Sequence, residues 1–127
     1  MSRPTQTTWQ SFKVATLGIY QFLLSDYHGK VHLSIATFTC LSGIYLGLSK
    51  IEWLIVALCI GMVFSAEMIN AAIEKLCDLV QPKFDARVKV IKDISAGAVL
   101  VVSLIAGITG IAIFLPKIIT LTRALTQ

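Results

Sequence analysis

Charged side chains are scarce in this sequence. Lys, Arg, Asp and Glu together make up 14% of the 127 residues, whereas hydrophobic residues make up 56%. A soluble domain carries about 25% charged residues, because its surface must be hydrated. The mean hydropathy of the chain is +0.80. We therefore predict an all-α membrane protein in which residues 1–127 form a single domain.

Motifs of several other protein classes are missing. The one Gly-Lys pair, Gly29-Lys30, is followed by Val31 and has no glycine five residues before it, which excludes a P-loop. The cysteines have no metal-ligand spacing. The sequence lacks the basic cluster with interleaved aromatic residues that would indicate nucleic-acid binding. It also lacks the early apolar core that would indicate a secretory signal.

Long apolar stretches are abundant instead. Uncharged residues fill 31–49 and 94–116, and each stretch meets the roughly 18–20 residues that a spanning helix requires. A third uncharged run, 53–66, is too short alone but reaches about 21 residues if it continues through Ile73 with polar residues inside it. We predict three transmembrane helices and a preceding amphipathic helix in the membrane interface, at residues 31–49, 51–80, 86–116 and 8–27 respectively.

Basic residues are distributed unevenly among the predicted loops. With the N-terminus inside, eight of them fall on the cytoplasmic side: Arg3, Lys13, Lys30, Lys75, Lys83, Arg87, Lys89 and Lys92. The other three are Lys50, Lys117 and Arg123. Because cytoplasmic segments of membrane proteins are enriched in Lys and Arg, we predict a multi-pass protein. Its N-terminus and its loop between the second and third transmembrane helices should be cytoplasmic.

Polar residues recur at helical spacing in the second predicted transmembrane helix, at Glu67, Asn70, Glu74 and Asp78. They fall within roughly 60° of one another around the helix axis. Counted from Trp53 at about 1.5 Å per residue, Glu67 lies roughly 21 Å and Glu74 roughly 31 Å along the helix. The hydrocarbon core is about 30 Å thick. With Lys92 and Asp93 returning to the same level, the site straddles the cytoplasmic interface.

That placement suits phosphoryl transfer from a soluble nucleotide to a membrane alcohol. Carboxylates can hold Mg²⁺, and an asparagine and a lysine can hold phosphate oxygens. A deeper, partly desolvated carboxylate can act as general base. Two other interpretations stay open: a small proton-coupled transporter with Glu67 as the proton carrier, and a purely structural membrane subunit. Neither of them explains why acidic and basic groups gather on one side.

Three motifs are distinctive in their order and spacing: ExxNxAIExxxD at 67–78, KDxxAGAVL at 92–100 and SFKxAxxG at 11–18. Over nearly the whole chain the sequence resembles the small prokaryotic diacylglycerol kinase and undecaprenol kinase family. Members are homotrimers of three-helix subunits that use ATP and Mg²⁺, with composite sites between neighbouring subunits. The resemblance implies a homotrimeric bundle in the bacterial inner (cytoplasmic) membrane.

The same resemblance implies roles for individual residues. Glu67 resembles the general base that removes the lipid hydroxyl proton, and Glu74 resembles the metal-holding glutamate. Asp26 takes the place of the family's other metal carboxylate, which is usually a glutamate, and Lys92 resembles a phosphate contact. The residues implied at the nucleotide are Asn70, Glu74, Asp78, Lys92, Asp93 and Asp26.

The lipid substrate stays open between undecaprenol and diacylglycerol. The sequence IKDISAGAVL at 91–100, together with His32, favours undecaprenol, because diacylglycerol-type members more often have a serine-alanine-alanine run there. Apolar grooves discriminate by only about 1–3 kcal/mol per methylene. The motif therefore indicates a preference without deciding it.

Overall fold

The computed structural model describes residues 7–126 as four α-helices with short connections. In chain order they are α1 (Thr8–Ser25), α2 (Tyr27–Tyr45), α3 (Lys50–Val80) and α4 (Ala86–Leu125). No strand occurs in these residues, so the predicted all-α fold is confirmed for this part of the chain. Arg3, counted above among the cytoplasmic charges, lies outside the described residues.

The helices begin at side chains that satisfy their free backbone amides. The N-cap residues are Thr7, Asp26, Ser49 and Asp85. α1 and α3 have complete capping boxes, because Gln10 and Glu52 bond back to the N-cap backbone. α3 is capped at its far end by Gln81, directly before Pro82, which lacks the N–H needed to continue a helix.

The corner between α1 and α2 consists of a single residue, Asp26. Its N–H donates to the Phe22 carbonyl of α1 at 3.2 Å, and its carboxylate accepts from the His28 N–H of α2 at 3.1 Å. One residue therefore caps both helices. The sequence instead predicted helices at 8–27 and 31–49 with a longer turn between them.

α4 is longer than the predicted transmembrane helix at 86–116. It continues through Pro116 to Leu125 and has 40 residues, or about 60 Å at 1.5 Å per residue. Proline removes one backbone hydrogen bond, but helices in membranes tolerate this loss. One turn after the proline, the Thr120 hydroxyl donates to the Pro116 carbonyl at 2.9 Å. α4 thus exceeds the roughly 30 Å hydrocarbon core.

The helices enclose only a thin core. α3 and α4 share the most extensive interface, and Phe22 of α1 meets Phe64 of α3 edge to face at 6.5 Å. The buried apolar side chains are few: Phe22, Leu48, Val56, Val63, Ala71 and Cys77. Large apolar residues are exposed on all four helices. α3 and α4 are each long and apolar enough to cross a membrane, which accounts for such an exposed apolar surface.

Replacement of Gly29 by alanine is expected to lower the free energy of unfolding by about 1–3 kcal/mol. A Cβ at this position would fall inside contact distance of the Phe22 carbonyl, so the α1–α2 corner would have to move. Thermal unfolding of the detergent-solubilised protein measures the effect. Gly18→Ala is the matched control, because a Cβ there meets no atom within 4 Å and alanine favours a helix. Equal melting temperatures for the two variants would contradict the prediction.

Candidate functional site

The four polar residues predicted to share one face, Glu67, Asn70, Glu74 and Asp78, lie on the uninterrupted helix α3. We call them the polar column. Their exposure increases along the helix: Glu67 is 5% exposed and Asn70 7% exposed, Glu74 is half-buried, and the Asp78 side chain is 69% exposed. The column therefore runs from a buried carboxylate to an open one.

Glu67, at the buried end of the column, contacts a histidine from another helix. His32 of α2 places its Nε2 2.8 Å from Glu67 Oε1, and both side chains are largely shielded from solvent. The geometry is that of a bond in which His32 Nε2–H donates to the Glu67 carboxylate, which is the direction required whenever the carboxylate is ionised. Reasoning from the sequence used His32 only as an indication of the lipid substrate and missed this contact. Its signal was an imidazole within the uncharged stretch 31–49.

A serine from α4 holds Asn70. Ser95 is buried, and its hydroxyl lies 2.5 Å from Asn70 Oδ1 and 3.1 Å from the Lys92 carbonyl. The amide nitrogen of Asn70 donates to Glu74 Oε1 at 3.4 Å. The serine therefore fixes which way the amide points and, through it, steadies Glu74. The sequence did not indicate this role, because Ser95 looked like any small residue close to Lys92 and Asp93.

Lys92 and Asp93 are adjacent in sequence but have different partners. Lys92 Nζ donates to Asp78 Oδ1 at 2.9 Å, which joins α4 to the open end of the polar column. Asp93 accepts from Lys89 at 2.5 Å on the exposed side of α4. Within residues 7–126, no hydrogen bond or ion pair joins Asp93 to α3.

Asp26 reaches α3 from the α1–α2 corner. Lys75 Nζ donates to its Oδ2 at 3.1 Å. Partial burial acts to raise the pKa of the Asp26 carboxyl, but the bonds from Lys75 and from the His28 amide outweigh it and hold the pKa below its usual value. Asp26 is therefore ionised at neutral pH, as a cation ligand must be.

A cleft of about 740 Å³ lies between the α1–α2 corner and the C-terminal half of α3. Asp26, Glu74 and Lys75 all line it. Within residues 7–126 no group of three or more His, Cys, Asp or Glu side chains could hold a metal ion. Mg²⁺, however, is commonly held by one or two carboxylates together with substrate phosphates and water. The two carboxylates in this cleft fit that requirement.

A second, apolar cavity of about 540 Å³ lies between α2, α3 and α4. Its wall is formed mostly by aliphatic residues, with Phe64 and Phe114 as the aromatic ones, and it includes His32. The same His32 ring holds Glu67. One buried contact therefore connects a space suited to hydrocarbon with the start of the polar column.

The chain is similar to two lipid kinases. It is 39% identical over 110 residues to an undecaprenol kinase of Bacillus subtilis (strain 168), and the aligned region covers 87% of this chain and 89% of that protein. It is 29% identical over 114 residues to a diacylglycerol kinase of Synechocystis sp. (strain ATCC 27184 / PCC 6803 / Kazusa), covering 87% of this chain and 64% of that protein. No solved structure matches it significantly.

The family model described as prokaryotic diacylglycerol kinase matches residues 13–114. This range includes Asp26, His32, the whole polar column and the lysine-aspartate pair of α4. It ends shortly before Pro116, so the long C-terminal turns of α4 lie outside it. The sequence match and the clustered polar groups agree: the chain belongs to the prokaryotic diacylglycerol kinase family of lipid kinases.

Proposed function

We propose that this protein transfers the γ-phosphoryl group of ATP to the hydroxyl group of a membrane lipid alcohol at the cytoplasmic interface, with undecaprenol as the preferred acceptor. One observation carries the proposal. The polar column begins beside the apolar cavity, through the His32–Glu67 contact, and runs to the charged cleft that Glu74 lines. The lipid acceptor and the water-soluble phosphate donor, ATP, can therefore meet along one helix face.

Glu67 is the general base in this proposal. Its buried carboxylate accepts the proton of the lipid hydroxyl while the hydroxyl oxygen forms its bond to the γ-phosphorus and the bond to the ADP oxygen breaks. Burial suits the role, because few water molecules can compete with the lipid hydroxyl for this carboxylate. The proton then leaves Glu67 for water.

The nucleotide binds along the polar column, from Asn70 to the open end at Asp78. Asn70 and Lys92 contact phosphate oxygens, Asp78 holds Lys92 in place, and Asp93 contributes from the adjoining surface of α4. Asp26 and Glu74 hold Mg²⁺, which neutralises phosphate charge when it is bound. Phosphoryl transfer depends mainly on such positioning and neutralisation, and the Ser95–Asn70 and Lys92–Asp78 bonds supply the positioning.

Three helices cross the bacterial inner membrane in this proposal. α2 has 19 residues, about 28 Å of helix, and it carries no charged residue between Lys30 and its end. α1 lies in the cytoplasmic interface, with Trp9 and Phe12 exposed. Lys75 in the cleft and Lys89 and Lys92 near the start of α4 favour a cytoplasmic location for this end of the bundle.

The working form is a homotrimer with sites shared between subunits. A single chain leaves Asp78 and Asp93 exposed and carries a wide apolar surface on α3 and α4. Neighbouring copies would cover part of that surface and complete the cleft. Close approach is possible along α3 and α4, because a Cβ added at Gly61, Gly97 or Gly107 would meet no atom of the same chain within 4 Å.

The test is transfer of labelled phosphate from ATP by purified protein in mixed micelles. Undecaprenol and diacylglycerol are offered separately at equal mole fractions. We expect Mg²⁺-dependent transfer to both, with the higher kcat/KM for undecaprenol. A higher value for diacylglycerol would reverse the preference, and transfer to neither acceptor would contradict the proposed function.

Replacement of Ser95 by alanine is expected to lower kcat by about tenfold, because Asn70 would lose the bond that orients its amide. The cavity left by one hydroxyl is small, so the fold should persist. Steady-state kinetics and a melting curve measure both effects. Ser34→Ala is the control, since that hydroxyl bonds only a carbonyl of its own helix. Unchanged kcat in Ser95→Ala would show that Asn70 needs no such support.

A further inference from the structure

His32 takes part in the site without a role in the proposed chemistry. It contacts neither the cleft nor the charged residues of α4, and its ring faces the interior of the helix bundle. Its exposed side-chain fraction is 18%, and the Phe64 ring lies against it at 6.3 Å. A polar group this shielded needs a partner, and the partner is the carboxylate proposed as the base.

The contact engages one oxygen of the Glu67 carboxylate. His32 Nε2 lies 2.8 Å from Oε1, and no other side chain within residues 7–126 hydrogen-bonds this carboxylate. Oε2 therefore stays available to accept a proton. Because α2 and α3 are separate helices, the bond also fixes the Glu67 rotamer relative to the wall of the apolar cavity.

The position of His32 in that wall sets the direction from which an acceptor can approach. The ring is a lining residue of the apolar cavity, whose other lining groups are mostly aliphatic. A hydrocarbon chain held in this cavity would bring its terminal hydroxyl to the polar end, where His32 and Glu67 meet. The imidazole thus lies between the acceptor and one oxygen of the base.

We propose that His32 is a positioning residue: it holds Glu67 Oε1 through Nε2–H so that Oε2 faces the lipid hydroxyl. This inference rests on the proposed function. It assigns the imidazole no proton transfer of its own, since the lipid proton goes to Oε2 and then to water. A side chain that donates one hydrogen bond from the same place can replace it.

Two substitutions separate this role from simple packing. His32→Leu fills a similar space with an apolar side chain and removes the Nε2–H donor. We expect its kcat to fall by about 30- to 100-fold. The KM for ATP should stay within about twofold, because the cleft is untouched. His32→Gln restores an N–H donor, and its kcat should recover to within about fivefold of the wild type. Thr37→Leu on the same helix is the control, since its hydroxyl bonds only the Leu33 carbonyl.

A spectroscopic measurement tests the contact without turnover. The sequence contains two histidines, so ¹⁵N-histidine labelling gives a simple spectrum, and a His28→Gln sample assigns it. We expect a proton on Nε2 of His32 and a clear shift of its ring nitrogens in Glu67→Gln. If His32→Leu does not fold, His32→Gln and this spectrum still decide the question.

The possible failures are distinguishable. Three results would each overturn the positioning role alone. They are wild-type turnover in His32→Leu, equal losses of kcat in His32→Leu and folded His32→Gln, and a ¹⁵N signal of His32 that does not shift in Glu67→Gln. Absence of phosphate transfer by the wild-type protein would overturn the proposed function and the positioning role with it. Selective loss of kcat in His32→Leu with recovery in His32→Gln would support it.

Discussion

Replacement of Glu67 by glutamine is expected to lower kcat for lipid phosphorylation by about 10³-fold, within the range that general-base catalysis supplies. Glutamine has nearly the same shape and can still accept the bond from His32 Nε2. It cannot take the proton of the lipid hydroxyl. Because Glu67 is 5% exposed and lies at the far end of the polar column from Asp78, nucleotide affinity should change by less than about threefold.

The measurement is labelled-phosphate transfer together with binding of a non-hydrolysable ATP analogue. Glu52→Gln is the matched control, because it removes a carboxylate at the other end of α3 and keeps a residue that can complete the capping box. Turnover near the wild-type level in Glu67→Gln would remove Glu67 from the role of base. Loss of nucleotide binding would instead place Glu67 in the nucleotide site.

Replacement of Glu74 by glutamine should raise the Mg²⁺ concentration needed for half-maximal activity by about 10- to 100-fold. The charge of one of the two cleft carboxylates is lost, while the bond from Asn70 to an oxygen at this position can remain. Activity at low Mg²⁺ should therefore fall steeply and recover in part at high Mg²⁺. A magnesium titration of the initial rate checks this.

Asp26→Asn is the companion variant. Asparagine caps a helix about as well as aspartate, so the α1–α2 corner should persist while the charge disappears. The magnesium requirement should rise in this variant as it does in Glu74→Gln. An unchanged requirement in both variants would show that these carboxylates do not hold the ion. A fall in melting temperature alone would limit Asp26 to its part in the corner.

The sequence predicted the helical class and the polar face well, and the reason is physical. A spacing of three and four residues determines which side chains share one face of a helix, and that information is local. Along this face the exposure rises from Glu67 to Asp78. The position of Pro82 directly after the capping residue marked the end of this helix.

Contacts between helices could not be predicted in the same way. The periodicity of α2 does not fix its rotation relative to α3, so nothing local indicated that His32 faces Glu67. Ser95 was similarly indistinguishable from the small residues around it. Adjacent residues also diverge on a helix, by about 100° per residue. For this reason Lys92 pairs with Asp78, while Asp93 pairs with Lys89.

The single-residue corner shows what Asp26 does at a position where the resemblance implies that other members more often have glutamate. Aspartate is among the preferred N-cap residues, since its short side chain folds back onto the amide at His28. A glutamate is one methylene longer and suits that bond less well, but it would extend further toward α3. This chain therefore has a well-capped corner between α1 and α2, and a carboxylate that extends less far toward α3. In the proposed arrangement, a cation shared with Glu74 would lie close to the corner between α1 and α2.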